Sequence, residues 1–388
     1  MHLPPEFELV VACCHWPPSP ARDEAVRAAA AGPLDWTLVA RIAERHRVEG
    51  LTWSALREAG AAVPAEAGEK LRAAAVRIAR QNLVLTGESL RLADRLDEAG
   101  ICHVFVKGVA LGALVYGSVG PKMGWDIDLL VPLPAVEEAA AALEAAGYRL
   151  VLPSGPRARE RLAAFHRHWK ESVWTSADGR LTVELHTRLS DNPRLLGGVG
   201  PDSPLQRAEV AKGRFLPTLA RDELFAYLCV HGASSAWFRL KWIADVAALL
   251  AGTAPDGVER LYRRSQSLGA GRASAQALLL CRRLFGTALP NALAAELDAD
   301  RANGWLLAVA LEKLAGRTLA TELHHRRFGT AAIHLMQLAL LPGLRFKLSE
   351  AGRQLVNPMD RVAVPLPRAL AFLYPLVALS RRLRNRGH

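Results

Sequence analysis

Two acidic residues interrupt a short apolar segment near the middle of the chain, in the run Gly-Trp-Asp126-Ile-Asp128-Leu-Leu-Val. The alternation predicts a β-strand, and residues i and i+2 of a strand point to the same face. Asp126 and Asp128 then place two like charges side by side, which is unfavourable unless a cation lies between them. A divalent metal ion is the natural partner, and Mg²⁺ prefers such oxygen ligands. A solvent-exposed pair without a metal is the alternative, but the apolar flanks favour a buried strand.

A third carboxylate, Glu184, lies on a second predicted strand over residues 181–186. The Asp-Gly pair at 178–179 separates two alternating segments, which predicts a β-hairpin. If the second strand lies beside the first acidic strand, three carboxylates converge, and such a set can hold one or two Mg²⁺ ions against a triphosphate. His186 shares the face of Glu184, and two interpretations stay open: it joins the phosphate or metal site, or it is a hydrogen-bonded histidine at a strand end.

A strand predicted over residues 101–107 ends at Lys107 and Gly108. Glycine lets the backbone approach a phosphate closely, and the helix predicted over residues 109–116 begins with free N–H groups. Lys107 adds a positive charge at the same point. A strand, a glycine turn, a helix and then an acidic strand form a coherent arrangement for binding phosphate and metal together.

Helical periodicity dominates the rest of the chain. The spacing of apolar residues over 5–98 predicts helices, with Asp35 as the N-cap of one of them and Gly100 after the last. Strand patterns are confined to residues 101–195, and helical patterns resume at Arg221. We therefore predict an α+β fold with a small mixed sheet at its core. Its three parts are an N-terminal helical region over 1–99, an α/β core over 100–195 and a C-terminal helical domain over 196–388.

Composition limits the class of protein and its compartment. The 388 residues are 51% hydrophobic and carry a net charge of +11 at pH 7, which excludes a wholly disordered chain. The five cysteines have no C-x-x-C spacing, and neither a signal peptide nor an apolar run of about 18 residues is present, so we expect a cytoplasmic protein. We attribute the positive charge chiefly to an arginine-rich composition, and an anionic partner is the alternative.

Taken together, these segments resemble the uncharacterised nucleotidyltransferase family of the polymerase-β-type superfamily. The similar segments are Phe105-Val-Lys-Gly-Val-Ala-Leu, Tyr116, Pro121-Lys-Met-Gly-Trp-Asp-Ile-Asp-Leu-Leu-Val131, Val183-Glu-Leu-His186, Leu228-Cys-Val-His231-Gly and Leu240-Lys-Trp-Ile-Ala-Asp245, with looser similarity around Asp35 and Pro365. The resemblance covers nearly the whole chain, and its central segment is the specific part.

The resemblance implies a nucleotidyltransferase fold in which three acids bind Mg²⁺ together with the phosphates of an NTP. These metal-binding and catalytic acids would be Asp126, Asp128 and Glu184, and Glu184 would also take the proton from an acceptor hydroxyl. The residues that contact the nucleotide would be Lys107, Gly108, Lys122 and His186. The chain differs from the wider superfamily at two places: Lys107-Gly108 replaces the usual Gly-Ser or Gly-Gly, and Lys122 replaces the commoner arginine.

These motifs and the family resemblance predict Mg²⁺-dependent transfer of a nucleotidyl group from an NTP, such as ATP, to a hydroxyl or phosphate of an acceptor. The acceptor is expected to be a small molecule, a sugar phosphate or a peptide natural product. The alternative is a non-catalytic module that binds nucleotide or nucleic acid on a nucleotidyltransferase-like fold. We favour partners other than nucleic acid or a membrane surface.

Three residues on helices predicted after Arg221 have two interpretations. Lys241 and Asp245 are spaced i, i+4, which favours a simple ion pair on one helix face. The alternative is that they close over a bound nucleotide together with His231. No G-x-x-x-x-G-K-[ST] motif occurs, which argues against a P-loop kinase.

Two histidine pairs and the basic C-terminal tail are assigned no site. His166 and His168, like His324 and His325, lack metal-ligand spacing, so solvated positions are expected. The tail over residues 380–386 is expected to be a solvated end, and contact with a membrane surface or nucleic acid is the lesser alternative.

Overall fold

The computed structural model describes residues 3–315 and 329–356, together with 360–361, 364, 366–374 and 376–377. The basic tail at 380–386 and the pair His324 and His325 lie outside the described residues. Within the described residues, a mixed five-stranded sheet is flanked by helices from both ends of the chain. The predicted α+β fold is therefore confirmed.

Five helices precede the first strand. They are α1 (Pro5–Cys13), α2 (Pro20–Ala30), α3 (Trp36–His46), α4 (Glu49–Glu58) and α5 (Ala65–Glu98). The predicted N-cap of α3 is confirmed, because Asp35 Oδ1 accepts from the backbone N–H groups of Thr37 at 2.9 Å and Leu38 at 3.1 Å. Helix α5 has 34 residues, and a buried stripe along it keeps it continuous and packed on the sheet.

The sheet is built from short segments. Its strands are β1 (Val104–Phe105), β2 (Ile127–Leu130), β3 (Tyr148–Leu152), β4 (Glu171–Ser176) and β5 (Thr182–His186), and its helices are α6 (Gly108–Tyr116), α7 (Val136–Ala145) and α8 (Leu162–His166). The strand order is β1-β2-β5-β4-β3, with β2 and β5 parallel and the other pairs antiparallel. The predicted β4–β5 hairpin is confirmed, and Gly179 occupies the left-handed region of its turn at φ +72°.

The two faces of the sheet differ in chemistry. Ile127 and Leu129 are buried on one face in a core that includes α5 and α7. Asp128 and Glu184 lie on the other face, where Leu130 joins a separate core of helices. This alternation follows from the two-residue period of a strand, and it directs the acidic residues toward the helices of the second half of the chain.

The second half of the chain begins with a β-hairpin that the sequence analysis did not predict. Its strands are β6 (Leu205–Ala211) and β7 (Arg214–Leu219), within the segment expected to be helical. Ala208, Val210 and Leu216 bury its inner face in the core of the sheet. The helices that follow are α9 (Arg221–Ser234), α10 (Leu240–Leu250), α11 (Pro255–Ser267), α12 (Gly271–Phe285), α13 (Asn291–Ala299), α14 (Arg301–Ala315), α15 (Gly329–Ala339) and α16 (Leu344–Leu355).

Helices from the two ends of the chain share one hydrophobic core. Leu9 of α1 and Val39 of α3 are buried in the same cluster as Phe225 of α9 and Leu278 of α12. The two helical regions therefore pack against each other as well as against the sheet. Among the described residues, none of the helices combines the length and the apolar character needed to cross a bilayer.

A buried carboxyl group in α4 is expected to make the stability of the protein pH-dependent. Glu49 is 3% exposed, its Oε2 has no hydrogen-bond partner, and burial raises its pKa from 4.5 to about 7. Between these pH values the folded protein keeps a proton that the unfolded chain releases, so this group lowers stability as pH rises. We expect Glu49→Gln to remove that loss. The free energy of unfolding of the variant, relative to that of the wild type, should therefore rise by about 2 kcal/mol between pH 5 and pH 8.

Urea unfolding of both proteins at the two pH values measures this effect. Because other groups titrate equally in both proteins, the difference between them isolates Glu49. Identical pH dependence of the two unfolding free energies would show that Glu49 ionises normally in the folded state.

Candidate active site

The parallel pairing of β2 with β5 brings the predicted acids together. Asp128 lies directly opposite Glu184, and Leu130 lies opposite His186. One ligand atom from each of Asp128, Glu184 and His186 lies within 4.8 Å of the others. His186 Nε2 is 3.2 Å from Asp128 Oδ1 and 3.5 Å from Glu184 Oε2. Asp128 and Glu184, two of the three acids predicted to converge, thus meet beside His186, and we call these three residues the acidic cluster.

Asp126, the third predicted acid, lies outside this group of three. The strand β2 begins at Ile127, one residue later than the alternation predicts, so Asp126 is half-buried in the preceding segment. Burial and the charge of Asp128 raise the pKa of Asp126, and Lys107 and Lys241 only partly offset this. Asp126 is therefore coupled to the cluster through charge.

Lys107 neutralises the deepest acid of the cluster. Its Nζ is 2.7 Å from Asp128 Oδ1, and the Asp128 side chain is only 1% exposed. Burial alone would raise the pKa of Asp128, but Lys107 and His186 outweigh it and hold the pKa well below its usual range. Gly108 follows at φ +60°, a left-handed conformation that favours glycine, and starts α6.

Glu184 differs from Asp128 in exposure and in its affinity for a proton. Its side chain is 24% exposed. Burial raises the pKa of Glu184, His186 opposes this by hydrogen bonding, and the neighbouring carboxylates of Asp128 and Glu171 raise it further. Two carboxyl groups on adjacent strands thus have different protonation behaviour because their surroundings differ.

His186 connects the cluster to a second ion pair on β4. Its Nδ1 is 3.3 Å from Glu171 Oε2, and Glu171 is ion-paired with Lys170. Burial would lower the pKa of His186, but hydrogen bonds to Asp128 and Glu184 and the charge of Glu171 raise it to about 9. The sequence analysis missed Lys170 and Glu171. The hairpin predicted around 178–179 could have identified Glu171, because that turn pairs residue 171 with residue 186.

Lys122 and Asp245 tie helix α10 to the segment before β2. Lys122 is 8% exposed, and its Nζ is 3.6 Å from Asp245 Oδ2. Tyr116 donates its hydroxyl to Asp245 Oδ1 at 2.9 Å. The structure thus places Lys122, predicted to contact the triphosphate, in a buried ion pair. The expected i, i+4 pair of Lys241 with Asp245 is not formed, and within the described residues Lys241 has no ion-pair partner.

Burial and neighbouring cations lower the pKa values of both Lys241 and His231. Burial and the nearby Lys122 lower the pKa of Lys241 to about 7. Burial and the charges of Lys107 and Lys170 lower the pKa of His231 well below its usual range. The charge of Asp126 opposes this shift at Lys241 and that of Asp128 opposes it at His231, so α10 and α9 place both groups near the acids.

The segment before β2 is held by two helices of the N-terminal region. Asn82 of α5 donates its side-chain N–H groups to the carbonyls of Val119 and Lys122, both at 2.6 Å, and its Oδ1 accepts from Gly124 N at 3.2 Å. A Cβ at Gly50 of α4 would lie 2.4 Å from the carbonyl oxygen of Pro121. The sequence analysis missed both residues, although a buried asparagine within an apolar helix stripe is a recognisable signal.

Trp125 precedes Asp126 and has an exposed side chain. Its side chain is 55% exposed, and its Nε1 donates to Met123 Sδ at 3.1 Å. The guanidinium carbon of Arg47 lies 5.6 Å from the ring centroid. An exposed tryptophan next to an acidic cluster offers a surface on which a planar group can stack.

His166, the last residue of α8, has a structural role. His166 is buried, with Nε2 2.9 Å from Ser172 Oγ and Nδ1 3.1 Å from Thr187 Oγ1. The expectation of a solvated position is therefore wrong for His166, while His168 is exposed. The error arose because spacing along the chain does not report burial.

A mixed sheet that presents clustered acids to a set of helices is the core expected of a nucleotidyltransferase-like protein. Residues 32–286, well over half of the chain, match the family described as uncharacterised nucleotidyltransferase. The chain belongs to this family. The matched segment contains every residue of the acidic cluster and the helices α9 and α10. A comparison with curated proteins gave no match.

Proposed function

We propose that the protein is a Mg²⁺-dependent nucleotidyltransferase that moves a nucleotidyl group from an NTP to an acceptor hydroxyl. The observation that supports this most is the pairing of Asp128 with Glu184 across adjacent parallel strands, within a chain of the nucleotidyltransferase family. One carboxylate is buried and ionised, and the other is partly exposed with a raised pKa. The raised pKa suits Glu184, rather than Asp128, to accept a proton in addition to its place in the metal site.

The donor set suits a hard divalent cation. Asp128 and Glu184 supply carboxylate oxygens close to each other, and Asp126, coupled to Asp128 through charge, is a third carboxylate for the ion. When bound, Mg²⁺ would neutralise the triphosphate and stabilise charge on the attacking and leaving oxygens. His186 has a raised pKa, so we assign it to holding the two carboxylates in place.

Glu184 and the groups around the cluster carry out the transfer itself. Glu184 accepts the proton as the acceptor oxygen forms a bond to the α-phosphorus of the NTP. The bond from that phosphorus to the bridging oxygen breaks, and pyrophosphate leaves with the electron pair. Lys107 and the first N–H groups of α6 supply positive charge for the phosphate oxygens. Trp125, with Arg47 beside it, provides a stacking surface for the base.

A second candidate function is a non-catalytic module that binds nucleotide. The observation in its favour is that Asp128 is already paired with Lys107 and His186, so its charge is compensated without a metal. The two functions agree on nucleotide binding and differ in whether a phosphorus–oxygen bond is broken.

Nucleotide binding and turnover by the wild type separate these candidates. We expect calorimetry to detect binding of at least one NTP that requires Mg²⁺ and is lost with EDTA, since carboxylates repel a metal-free triphosphate. Pyrophosphate release in the presence of a cell extract as the source of acceptors would support the enzyme. Binding without release would support the module, and no binding of any of the four NTPs would contradict both.

A further inference from the structure

Helix α16 exposes a stripe of leucines to solvent. Leu344 is 70% exposed, Leu348 63% and Leu355 57%. The turn of an α-helix places these three positions within about 40° of one another around the helix axis, so they form one continuous surface, the apolar face of α16. Apolar residues at this spacing ordinarily mark the side of a helix that packs on a core, whereas here they point outward.

The opposite side of α16 is attached to the rest of the chain. Phe346 and Glu350 are only 3% and 2% exposed. Asn192, in the segment after β5, donates its side-chain N–H to Glu350 Oε2 at 2.9 Å, and Arg353 pairs with the same carboxyl group at 2.5 Å. These buried contacts fix the orientation of the helix with its apolar face toward solvent.

Basic side chains border the apolar face on both sides. Arg345 and Lys347 are exposed, and the helical turn places them about 100° to one side of Leu344 and about 60° to the other. Neither is paired with an acid within the described part of the chain. Residues 329–388 contain nine lysines and arginines and two acids, Glu350 and Asp360, which are both buried. The exposed charged residues of α16 are therefore basic.

Phe372 extends the apolar face beyond the end of the helix. It is 71% exposed and lines a cavity together with Leu355. Among the described residues, the charged lining of that cavity is four arginines and one acid: Arg167, Arg188, Arg353, Arg361 and Asp191. Leucines and a phenylalanine bordered by basic residues are typical of helices that lie in the plane of a membrane surface.

We propose that the apolar face of α16 and Phe372 bind the surface of an anionic lipid bilayer. The leucines and the aromatic ring enter the boundary between headgroups and acyl chains, and Arg345 and Lys347 contact the lipid phosphates. A second copy of the chain suits this face less well, because a two-fold contact brings the same basic residues together. The exposed leucines thus favour a membrane surface, contrary to the expectation from sequence alone.

Vesicle flotation with the full chain measures this binding. The vesicles are pure phosphatidylcholine, or phosphatidylcholine with about one third phosphatidylglycerol as the anionic lipid. We expect binding to the anionic vesicles to be at least about tenfold stronger than to the neutral ones and to weaken as salt rises. Replacing both basic residues, Arg345→Gln with Lys347→Gln, should weaken it at least about tenfold, since each contributes roughly fivefold near the surface.

Leu348→Glu separates the apolar face from the general attraction of a chain with a net charge of +11. Because Leu348 is exposed, the variant should unfold like the wild type, while its binding to the anionic vesicles should fall at least about tenfold. Leu83→Glu is the matched control, since it introduces the same charge at a leucine of α5 that is 64% exposed. It should bind within about twofold of the wild type.

The proposal is overturned if the wild type does not bind anionic vesicles, if Leu348→Glu binds like the wild type, or if Leu83→Glu loses as much binding as Leu348→Glu. Light scattering on the same proteins tests the other occupant. A dimer that Leu348→Glu abolishes, in a protein that does not bind vesicles, would assign the face to a second copy of the chain.

Discussion

Asp128→Asn is expected to lower the rate of nucleotidyl transfer by at least about 10³-fold. The amide keeps the shape of the side chain but removes the buried negative charge that Lys107 and His186 surround. The two cations would then lie 2.7 Å and 3.2 Å from a neutral group, and a divalent metal would lose its deepest ligand. The nucleotide would lose the cation that offsets its phosphate charge.

Pyrophosphate release at saturating NTP measures this effect, and Asp202→Asn is the matched control on the exposed surface. Thermal unfolding should accompany the assay, because removing one partner of a buried ion pair also lowers stability. A folded Asp128→Asn protein that retains turnover within tenfold of the wild type would show that Asp128 is not a catalytic metal ligand.

Asn82→Ala is expected to affect both stability and turnover, although Asn82 touches none of the acids. The side chain satisfies the carbonyls of Val119 and Lys122 and the N–H group of Gly124, all within the segment before Asp126. Its loss leaves these backbone groups without partners, which should lower the free energy of unfolding by about 3 kcal/mol. A small displacement of the segment should then reduce turnover by about 10²-fold.

Urea unfolding and steady-state kinetics measure the two effects of Asn82→Ala. Leu83→Ala is the control on the same helix, since Leu83 is 64% exposed and should change stability by less than about 0.5 kcal/mol. Rescue of turnover, but not of stability, by raised Mg²⁺ and NTP concentrations would indicate a role in nucleotide binding. Wild-type turnover in a clearly destabilised Asn82→Ala protein would contradict the positioning role.

The acidic cluster could be predicted from the sequence because it depends on local regularities. Alternation around Asp128 defines one strand, and the Asp-Gly turn fixes the register of the hairpin that contains Glu184. Short strands of two to five residues follow from the same patterns, with errors of up to three residues at their ends. Both regularities act over a few residues, whereas the pairing of β2 with β5 joins distant segments and entered the sequence analysis only as a condition.

Other features could not be predicted because they depend on contacts between distant segments. The hairpin β6–β7 has small buried residues and charged outer ones, so its alternation is weak, and Pro217 argues against a strand. The partner of Asp245 is Lys122, 123 residues away, where the sequence offered Lys241 four residues away. Spacing along a helix identifies residues that are able to meet, whereas packing decides which of them do.

The arrangement of the sheet explains why one chain can combine a stable core with a charged site. One face of β2 and β5 is buried against α5 and α7, which fixes the backbone of both strands. The opposite face carries the acids toward α9 and α10, which add Lys241 and His231 near the cluster. A rigid strand pair thus sets the separation of Asp128 and Glu184 before any ligand binds.

The position of a bound metal tests the central claim most directly. Crystals grown with Mn²⁺ and a non-hydrolysable NTP analogue would locate the metal through its anomalous scattering. The account predicts a peak within coordination distance of both Asp128 and Glu184, with the α-phosphate of the analogue bound to the same ion. A metal and triphosphate bound elsewhere, with Lys107 still paired to Asp128, would contradict it.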